Sequence, residues 1–509
     1  MRCVWHAVAR AALTVAFACG AWYDGAAAQD PRSALDAITS AVLQHPLTTS
    51  SATARDHFLR GQRELDLFRV IDANAHFKEA VAADPNFAFA YLSVANTANS
   101  LDEFKTNLAL AEQHAAGASD AERLQIQMVR KGFDNDLADQ LALGRQLVEK
   151  YPDSPRAWLA LAGVQGALNR NEEARTAIAK ALELAPRFFA AHTTMGVSYL
   201  FGEPRDFAQA LQYMQQAEAL APDEAGAHTF LGDAYRAQRN LAKAREEYIR
   251  GHQLNPRDAI LLVKAGHVNT LLGDYGAARA DYDSAIAVGR ANEKAAYAPF
   301  RAYVSVYAGD PAAAIDELNR LVAAVDGMGV PDPKAAKVGA LSNVAIIATH
   351  TRNRAAAERS LKQLRPLLLQ QADEAGNPAF RRGQEATIAY FDGWWAAREG
   401  DYAAAQKRAD RISQVLAPDA NPRKLEPMHQ LEGFIALYQR KYREAEDHFR
   451  LGNLLDPYTT YQLAVATEGA GDATAAKRLF REVADYNFNT VGFALVRKDA
   501  QQKAGAGTL

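Results

Sequence analysis

The stretch "GDYGAARADYDSAI", from Gly273 to Ile286, returns in altered form as "GDYAAAQKRADRI" from Gly400. The reduced pattern G-D-x-x-A-A occurs four times, as GDYGAA at Gly273, GDPAAA at Gly309, GDYAAA at Gly400 and GDATAA at Gly471. A phrase that one chain uses several times is typical of repeated structural units, and a repeat architecture determines the whole fold. The pattern therefore predicts a structural element that recurs, and not a single catalytic loop.

The spacing of the pattern defines a period. Its last alanine is preceded by others in the same phase, and the series runs Ala174, Ala210, Ala244, Ala278 and Ala314, with successive separations of 36, 34, 34 and 36 residues. Prolines at 152, 186, 222 and 256 keep the same period, as do small residues at 162, 196, 232 and 266. Three kinds of marker in one phase predict a repeat of about 34 residues.

Each marker has a physical reason in a pair of packed helices. Two helices in contact need small residues where their backbones come closest, and Gly232 and Ala244 supply them. Leu231 and Tyr248 are large enough to fill the remaining space. Pro222 removes a backbone donor and disfavours helix in the residue before it, so it predicts the point where one hairpin stops.

The opening phrase is then predicted to be the corner between two helices. Gly273 is expected to end the first helix in the left-handed conformation, which glycine adopts without a Cβ penalty. Asp274 is expected to cap the free N–H groups at the start of the second helix. GDYGAA is therefore interpreted as a helix-turn-helix corner.

These units resemble the tetratricopeptide repeat (TPR) family. One unit reads Trp158, Leu161, Ala162, Gln165, Ala174, Ile178, Ala181 and Pro186; another reads His228, Leu231, Gly232, Tyr235, Ala244, Tyr248, Gly251 and Pro256. The resemblance implies an all-α fold, a right-handed superhelical solenoid of helix-turn-helix TPR units that ends in a C-terminal capping helix.

The markers divide the chain into segments. We expect a signal peptide at 1–28, a linker or N-terminal extension at 29–52, an N-terminal TPR block at 53–324, a glycine- and proline-rich loop at 325–334, a C-terminal TPR block at 335–486, a capping helix at 487–504 and a tail at 505–509. Roughly ten or eleven units fit this length. The markers weaken at 107–150, where altered helix pairs are expected, and at 335–375, where Pro366 is expected to kink or end the second helix.

The first residues predict export. Arg2 and Arg10 form a basic start, an apolar run follows from Ala11 to Gly20, and the small residues Ala26–Ala28 precede Gln29. These are the three parts of a secretory signal peptide, with cleavage expected near Ala28 and a periplasmic or extracellular location for the mature chain. Two alternatives stay open: a retained anchor, although the apolar run is shorter than a bilayer span, and lipidation at Cys19.

Composition excludes several chemistries. Both cysteines, Cys3 and Cys19, lie in the leader, so the mature chain would have no thiol nucleophile and no cysteine metal site. The chain carries a net charge of −3, and residues 1–28 contribute +1 through Arg2, Arg10 and Asp24, which leaves −4. Without a basic stripe we expect no nucleic-acid partner, and without a second long apolar run we expect no membrane span in the mature chain.

No catalytic motif is found, and helix pairs leave no room for a separate catalytic domain. His57, His192 and His228 share the fourth position of their units, which raises the question of a metal site. A metal needs at least a third ligand with outer-shell support, and the family packs a core residue there, so we interpret these histidines as structural. We therefore predict no metal, no cofactor and no enzyme activity.

The resemblance places binding in a concave groove lined by the first helix of each unit, which we call the first-helix face. At the positions where family members contact ligands, the chain has Arg156, Thr193, Thr194, Phe230, Asp233, Arg236, Val263, Lys264 and His267. This mixture of apolar, polar and charged groups suits an extended peptide. A chaperone-type carboxylate clamp is disfavoured, because the matching positions Thr193, Val197, Phe230, Ile260 and Lys264 retain one cation.

Two functions from different classes follow. The first is a non-enzymatic, exported scaffold that binds peptide segments or helices of partner proteins on its first-helix face. The alternative is a secreted protein that captures a small ligand or glycan, which needs aromatic platforms in one pocket. Trp394 with Trp395, or Tyr297 with Tyr303 and Tyr307, are the candidates for such a platform. Adjacent tryptophans on a helix point in different directions, which favours core packing for at least one of them.

Overall fold

A computed structural model describes residues 47–505 and forms an all-α fold, as expected; within this range there are 25 α-helices and no strand. The first half comprises α1 (Ala52–Asp66), α2 (Val70–Ala83), α3 (Ala88–Asn96), α4 (Leu101–His114), α5 (Asp120–Phe133), α6 (Leu137–Lys150), α7 (Pro155–Ala167), α8 (Asn171–Leu184), α9 (Phe189–Phe201), α10 (Phe207–Leu220), α11 (Ala225–Ala237) and α12 (Leu241–Leu254). The second comprises α13 (Ala259–Leu272), α14 (Tyr275–Val288), α15 (Ala291–Tyr307), α16 (Pro311–Ala324), α17 (Pro333–Thr351), α18 (Arg354–Ala375), α19 (Pro378–Glu399), α20 (Tyr402–Leu416), α21 (Glu426–Tyr438), α22 (Tyr442–Arg450), α23 (Pro457–Gly469), α24 (Ala473–Ala484) and α25 (Val491–Ala504).

Consecutive helices pack in pairs, from α1 with α2 to α23 with α24, and Gly266 against Tyr282 joins α13 with α14. The described residues therefore contain twelve hairpins followed by α25, where ten or eleven units were expected. The weakly marked stretches form hairpins as well. Within 107–150, α5 and α6 are a regular pair, preceded by a single 3₁₀ turn at Ala115–Gly117. Within 335–375, α17 and α18 are longer, at 19 and 22 residues, and α18 continues through Pro366. Of the two outcomes expected at Pro366, a kink or an end of the helix, the end is wrong.

The repeated phrase is the corner of a hairpin, as predicted. Gly273 has φ of +82° and follows α13 directly, and the equivalent glycines at 309, 400 and 471 have φ between +87° and +97°. The Asp274 carboxylate accepts a hydrogen bond from the Ala277 backbone N–H at 3.0 Å. The aspartates at 310, 401 and 472 cap α16, α20 and α24 in the same way.

Other corners adopt the same left-handed conformation without glycine. The residues in question are Phe68, Asn135, Asn169, Arg239, Arg352 and Arg440, with φ between +58° and +65°. A residue with a Cβ is less stable there by roughly 1–2 kcal/mol. These corners therefore carry a local cost that the rest of the fold offsets.

Close packing between paired helices follows the predicted small-to-large pattern. A Cβ added at Gly232 in α11 would collide with the ring of Tyr248 in α12, which is completely buried. The Tyr248 hydroxyl donates a hydrogen bond to the Asp233 carboxylate at 2.7 Å. The aromatic ring thus takes the space that the missing side chain leaves, and its polar end is satisfied inside the core.

The chain divides into two compact units, Met1–Leu261 and Leu262–Leu509, and the division falls inside α13. We call them unit 1 and unit 2. The predicted loop at 325–334 contains a 3₁₀ turn at Val325–Gly327 and ends where α17 begins at Pro333. The predicted signal peptide at 1–28 lies outside the described residues. None of the described helices combines the length and apolar character that crossing a bilayer requires.

Candidate functional site

The first-helix face of unit 1 is occupied by a turn from the same unit. We call Asp66–Arg69, between α1 and α2, the α1–α2 turn. Arg156 in the first turn of α7 donates to both oxygens of Asp66, with Nη1–Oδ1 at 2.9 Å and Nη2–Oδ2 at 2.5 Å. Both side chains are only 13% exposed. This bidentate ion pair fixes the turn on α7.

The centre of the turn packs on α9 and α11. The ring of Phe68 meets the rings of Phe230 and Phe189 edge to face, with centroids 4.8 and 6.5 Å apart. Beside it, the Arg69 guanidinium pairs with the Glu224 carboxylate at the start of α11. Burial raises the pKa of the Glu224 carboxyl, although Arg69 favours its charged form. The turn therefore covers the first helices of three consecutive hairpins.

Six of the nine residues predicted to contact a ligand lie in unit 1. Arg156 and Phe230 contact the α1–α2 turn, as described above. Thr193 and Thr194 donate their hydroxyl hydrogens to backbone carbonyls four residues earlier in α9. Asp233 and Arg236 form a buried ion pair at 2.9 Å. Partner binding by these six stays a prediction.

The other three predicted residues, Val263, Lys264 and His267, lie in unit 2 and are all buried. His267 Nδ1 lies 2.7 Å from the Tyr282 hydroxyl, and its ring packs edge to face on Phe300 at 4.6 Å between centroids. The His267 side chain is therefore part of the interior of unit 2.

The first-helix face of unit 2 is covered by the C-terminal segment, which we define as Asn487–Ala504. Its helix α25 packs on α24, where a cap was expected, and also on the first helices α15, α17 and α23. Asn489 leads the segment into this face. Its side-chain NH₂ lies 3.2 Å from the Tyr282 hydroxyl, and its carbonyl oxygen accepts from the Tyr307 hydroxyl at 3.0 Å. Burial raises the pKa of Tyr307 well above its usual value, so the phenol remains a donor.

Two further residues of α25 anchor it. Phe493 is completely buried and meets the rings of Tyr307 and Tyr486 at 6.3 and 5.2 Å. Arg497 donates to the Leu271 carbonyl oxygen at 2.7 Å, at the end of α13. An apolar anchor flanked by polar contacts is how helices dock in grooves of partner proteins.

The aromatic residues considered for ligand capture are mostly interior. Trp394 is 2% exposed, stacks on Phe434 at 5.0 Å and donates through Nε1 to the Tyr438 hydroxyl at 3.1 Å. Tyr297, Tyr303 and Tyr307 are buried too. Trp395 alone of these five is partly exposed. The arrangement gives no aromatic platform for a glycan.

Two of the three histidines examined in the sequence hold backbone carbonyls. His192 Nε2 donates to the Pro186 carbonyl oxygen at 2.8 Å, and His228 Nε2 donates to that of Pro222 at 2.9 Å. The ring of the third, His57, lies 5.9 Å from the ring of His76, across the first hairpin.

A fourth histidine in the same register, His429, was missed. His429 and Glu432 lie one turn apart on α21, and His448 faces them from α22. The Nδ1 atoms of the two histidines are 3.3 Å apart, and Glu432 Oε2 lies 3.5 Å from His429 Nδ1 and 3.1 Å from His448 Nδ1. Among the described residues this is the one group of three or more metal-ligating side chains with such spacing.

The overlooked signal is a separation of 19 residues. His57 faces His76, His228 faces Glu247 and His429 faces His448, each pair across its own hairpin. The separation follows from the hairpin, since a residue near the start of the first helix meets one near the end of the second. Searching for ligand pairs 19 apart with a third ligand one turn away would have found the cluster.

Successive packed hairpins define a helical-repeat protein. Residues 155–188, which form α7, α8 and the turn after them, match the family model of the tetratricopeptide repeat. This hairpin is thus similar to a tetratricopeptide repeat, and the other described hairpins repeat its helix-pair architecture. No curated protein sequence matches it.

Several solved structures show partial likeness. MamA from Desulfovibrio magneticus RS-1 is 21% identical, with 33% of this chain and 92% of that one covered and a TM-score of 0.29. A tetratricopeptide repeat protein from Parabacteroides merdae ATCC 43184 is 13% identical, with coverages of 56% and 97% and a TM-score of 0.33. The APC/C assembly Cut9–Hcn1 is 14% identical, with coverages of 89% and 78% and a TM-score of 0.39. TM-scores this low support no argument about the fold, which is evident from the packing of the chain's own helices.

Proposed function

We propose that the protein is a non-enzymatic scaffold that binds helices or peptide segments of partner proteins on its first-helix faces. The observation that carries this proposal is the docking of α25 on α15 and α17 in unit 2. The contacts combine a buried aromatic anchor with hydrogen bonds to the backbone and to side chains, which are the ingredients of helix recognition. A partner helix of similar chemistry would use the same surface.

A partner would have to compete with α25. A segment tethered to its own binding surface has an effective concentration in the millimolar range, so a free helix of equal quality binds weakly until the tethered one is released. In our proposal, α25 therefore sets the threshold for partner binding. A partner must match its contacts at Tyr307 and Leu271 and add others.

The test uses the full chain and a labelled synthetic peptide of residues 487–504. Phe493→Ala in the chain removes the anchor of α25 and weakens its docking by about 3 kcal/mol. We expect this variant to bind the added wild-type peptide about 100-fold more tightly than the unchanged chain does, measured by fluorescence anisotropy.

The matched control is a second peptide that carries both Phe493→Ala and Arg497→Ala, which should not bind the variant chain. Circular dichroism of the variant chain shows whether it has kept its helices. If the variant stays folded but takes up neither peptide, or both equally, the first-helix face of unit 2 is not a specific helix-binding surface, and the proposal fails.

We further propose that the chain is exported, on the support of the basic, apolar and small-residue segments of residues 1–28. Expression with the native leader in a Gram-negative host should yield a periplasmic or secreted protein that begins at Gln29, as measured by intact mass. A species that begins at a lipidated Cys19, or one that retains residue 1, would contradict cleavage near Ala28.

A further inference from the structure

We propose that His429, Glu432 and His448 form a zinc-binding site on the hairpin of α21 and α22. The three ligand atoms, Nδ1, Oε2 and Nδ1, lie within 4.8 Å of one another. The site is separate from the first-helix contacts that bind α25, so it is an additional property of the scaffold.

The distances fit a tetrahedral ion. Zinc binds histidine nitrogen at about 2.0–2.1 Å and carboxylate oxygen at about 2.0–2.2 Å, so two ligands in a tetrahedral site lie about 3.3–3.5 Å apart. The three separations in the cluster are 3.3, 3.5 and 3.1 Å. An ion can therefore enter with side-chain shifts of a few tenths of an ångström, and with no movement of either helix.

The types of ligand also fit. Imidazole nitrogen and carboxylate oxygen are common zinc ligands, and three of them leave a fourth position for water or for a side chain of a partner. The three side chains are between 19% and 26% exposed, which gives an ion access from solvent. Gln406 in α20 donates to the other carboxylate oxygen of Glu432 at 3.3 Å, which helps to keep Oε2 directed at the histidines.

The repeat register provides internal comparisons. His57 and His76 have almost the same geometry as His429 and His448, with ring centroids 5.9 and 5.5 Å apart and interplanar angles of 36° and 34°. The residue three positions after the first histidine differs: it is Arg60 in the first hairpin and Glu432 in the later one. A carboxylate completes a ligand set there, whereas a guanidinium repels a cation.

The experiment is equilibrium dialysis of the purified full chain against zinc chloride, with metal content measured by mass spectrometry. We expect one zinc per chain. Glu432→Gln, and the double change His429→Gln with His448→Gln, should weaken binding by more than about 100-fold, because loss of a ligand exceeds the 10- to 100-fold effect of an outer-shell change. Gln406→Ala should weaken it by about tenfold.

The matched control, His57→Gln with His76→Gln, should leave the zinc content unchanged. A gain of binding provides the second arm: Arg60→Glu should raise the content from one zinc per chain to two. Cobalt(II) in place of zinc should give the visible absorption of a tetrahedral site in the unchanged chain and not in Glu432→Gln. Equal zinc content in the unchanged chain and Glu432→Gln would overturn the proposal, as would the absence of zinc from both.

Discussion

Each unit covers its first helices with a piece of its own chain, but the two pieces differ in kind. In unit 1 the α1–α2 turn of four residues is held at its edges by the ion pairs of Asp66 and Arg69, with the buried Leu67 and the half-buried ring of Phe68 between them. In unit 2 the C-terminal segment contributes a whole helix, with the buried ring of Phe493 at its centre. The turn combines two partly buried ion pairs with a small apolar contact, whereas the helix buries a larger apolar side chain at its centre.

The two pieces also differ in how the chain holds them. The turn is fixed on both sides by α1 and α2, so it can leave its site only if the first hairpin moves. The C-terminal segment is not part of a hairpin, because α25 follows the last helix pair through residues 485–490, so it can leave its site without separating the helices of a pair. The comparison therefore favours unit 2 as the site of the exchange that we propose between the chain's own segment and a partner helix.

The largest effect should come from the anchor of the helix. Phe493→Ala removes a completely buried ring and should lower the free energy of unfolding of unit 2 by about 3–5 kcal/mol. Hydrogen exchange measured by mass spectrometry should show faster exchange in α15, α17 and α25 and unchanged exchange in α1 to α11. If α7 or α9 exchanged equally fast, the two coverings would not be independent.

A smaller effect should follow from the charge that holds the turn. Asp66→Asn leaves the Arg156 guanidinium without its bidentate carboxylate at a site that is 13% exposed. We expect a loss of about 1.5–3 kcal/mol, the usual contribution of a hydrogen bond to a charged group, with faster exchange in α1 and α7. Asp223→Asn, at an exposed position in the same unit, is the control and should change little.

Low pH should destabilise unit 2 through the buried side chain of His350. His350 in α17 lies 2.8 Å from the Tyr458 hydroxyl, and burial lowers its pKa from 6.5 to about 4. The pKa of His350 is lower in the folded chain than in the unfolded chain. Its contribution to the free energy of unfolding is therefore fully present above pH 6.5 and is lost as the pH falls towards 4. Between pH 7 and pH 5 this amounts to about 2 kcal/mol.

The measurement is urea unfolding of the unchanged chain and of His350→Gln at both pH values. Between pH 7 and pH 5, the free energy of unfolding of His350→Gln should fall by about 2 kcal/mol less than that of the unchanged chain. An identical dependence in the two proteins would mean that His350 titrates normally in the folded state.

Much of the fold could be predicted from the sequence, because each marker acts locally. The corner at Gly273 and Asp274 and the contact of Gly232 with Tyr248 depend only on residues within one hairpin. The coverings could not be predicted in this way, since Phe68 meets Phe230 more than a hundred residues later and Asn489 meets Tyr307 across a similar separation. A repeat pattern describes neighbouring hairpins and contains no information on such distant contacts.

The corners provide the smallest predicted effect. Gly400 has φ of +87° and open space around a hypothetical Cβ, so Gly400→Ala should cost about 1 kcal/mol through the backbone alone. Arg239 occupies the same kind of corner at +65°, and Arg239→Gly should stabilise unit 1 by about 0.5 kcal/mol, since the relief of strain exceeds the added chain entropy.

Gly166 in α7 is the control for this pair of changes, because it too has open space around its Cβ position but has a helical backbone. Gly166→Ala should therefore stabilise unit 1 by about 0.5–1 kcal/mol, the helix preference of alanine over glycine. The same chemical change would then act in opposite directions at Gly400 and Gly166, as measured by urea unfolding. If both changes had the same sign, the left-handed corner would not explain why the repeats of this chain use glycine where they turn.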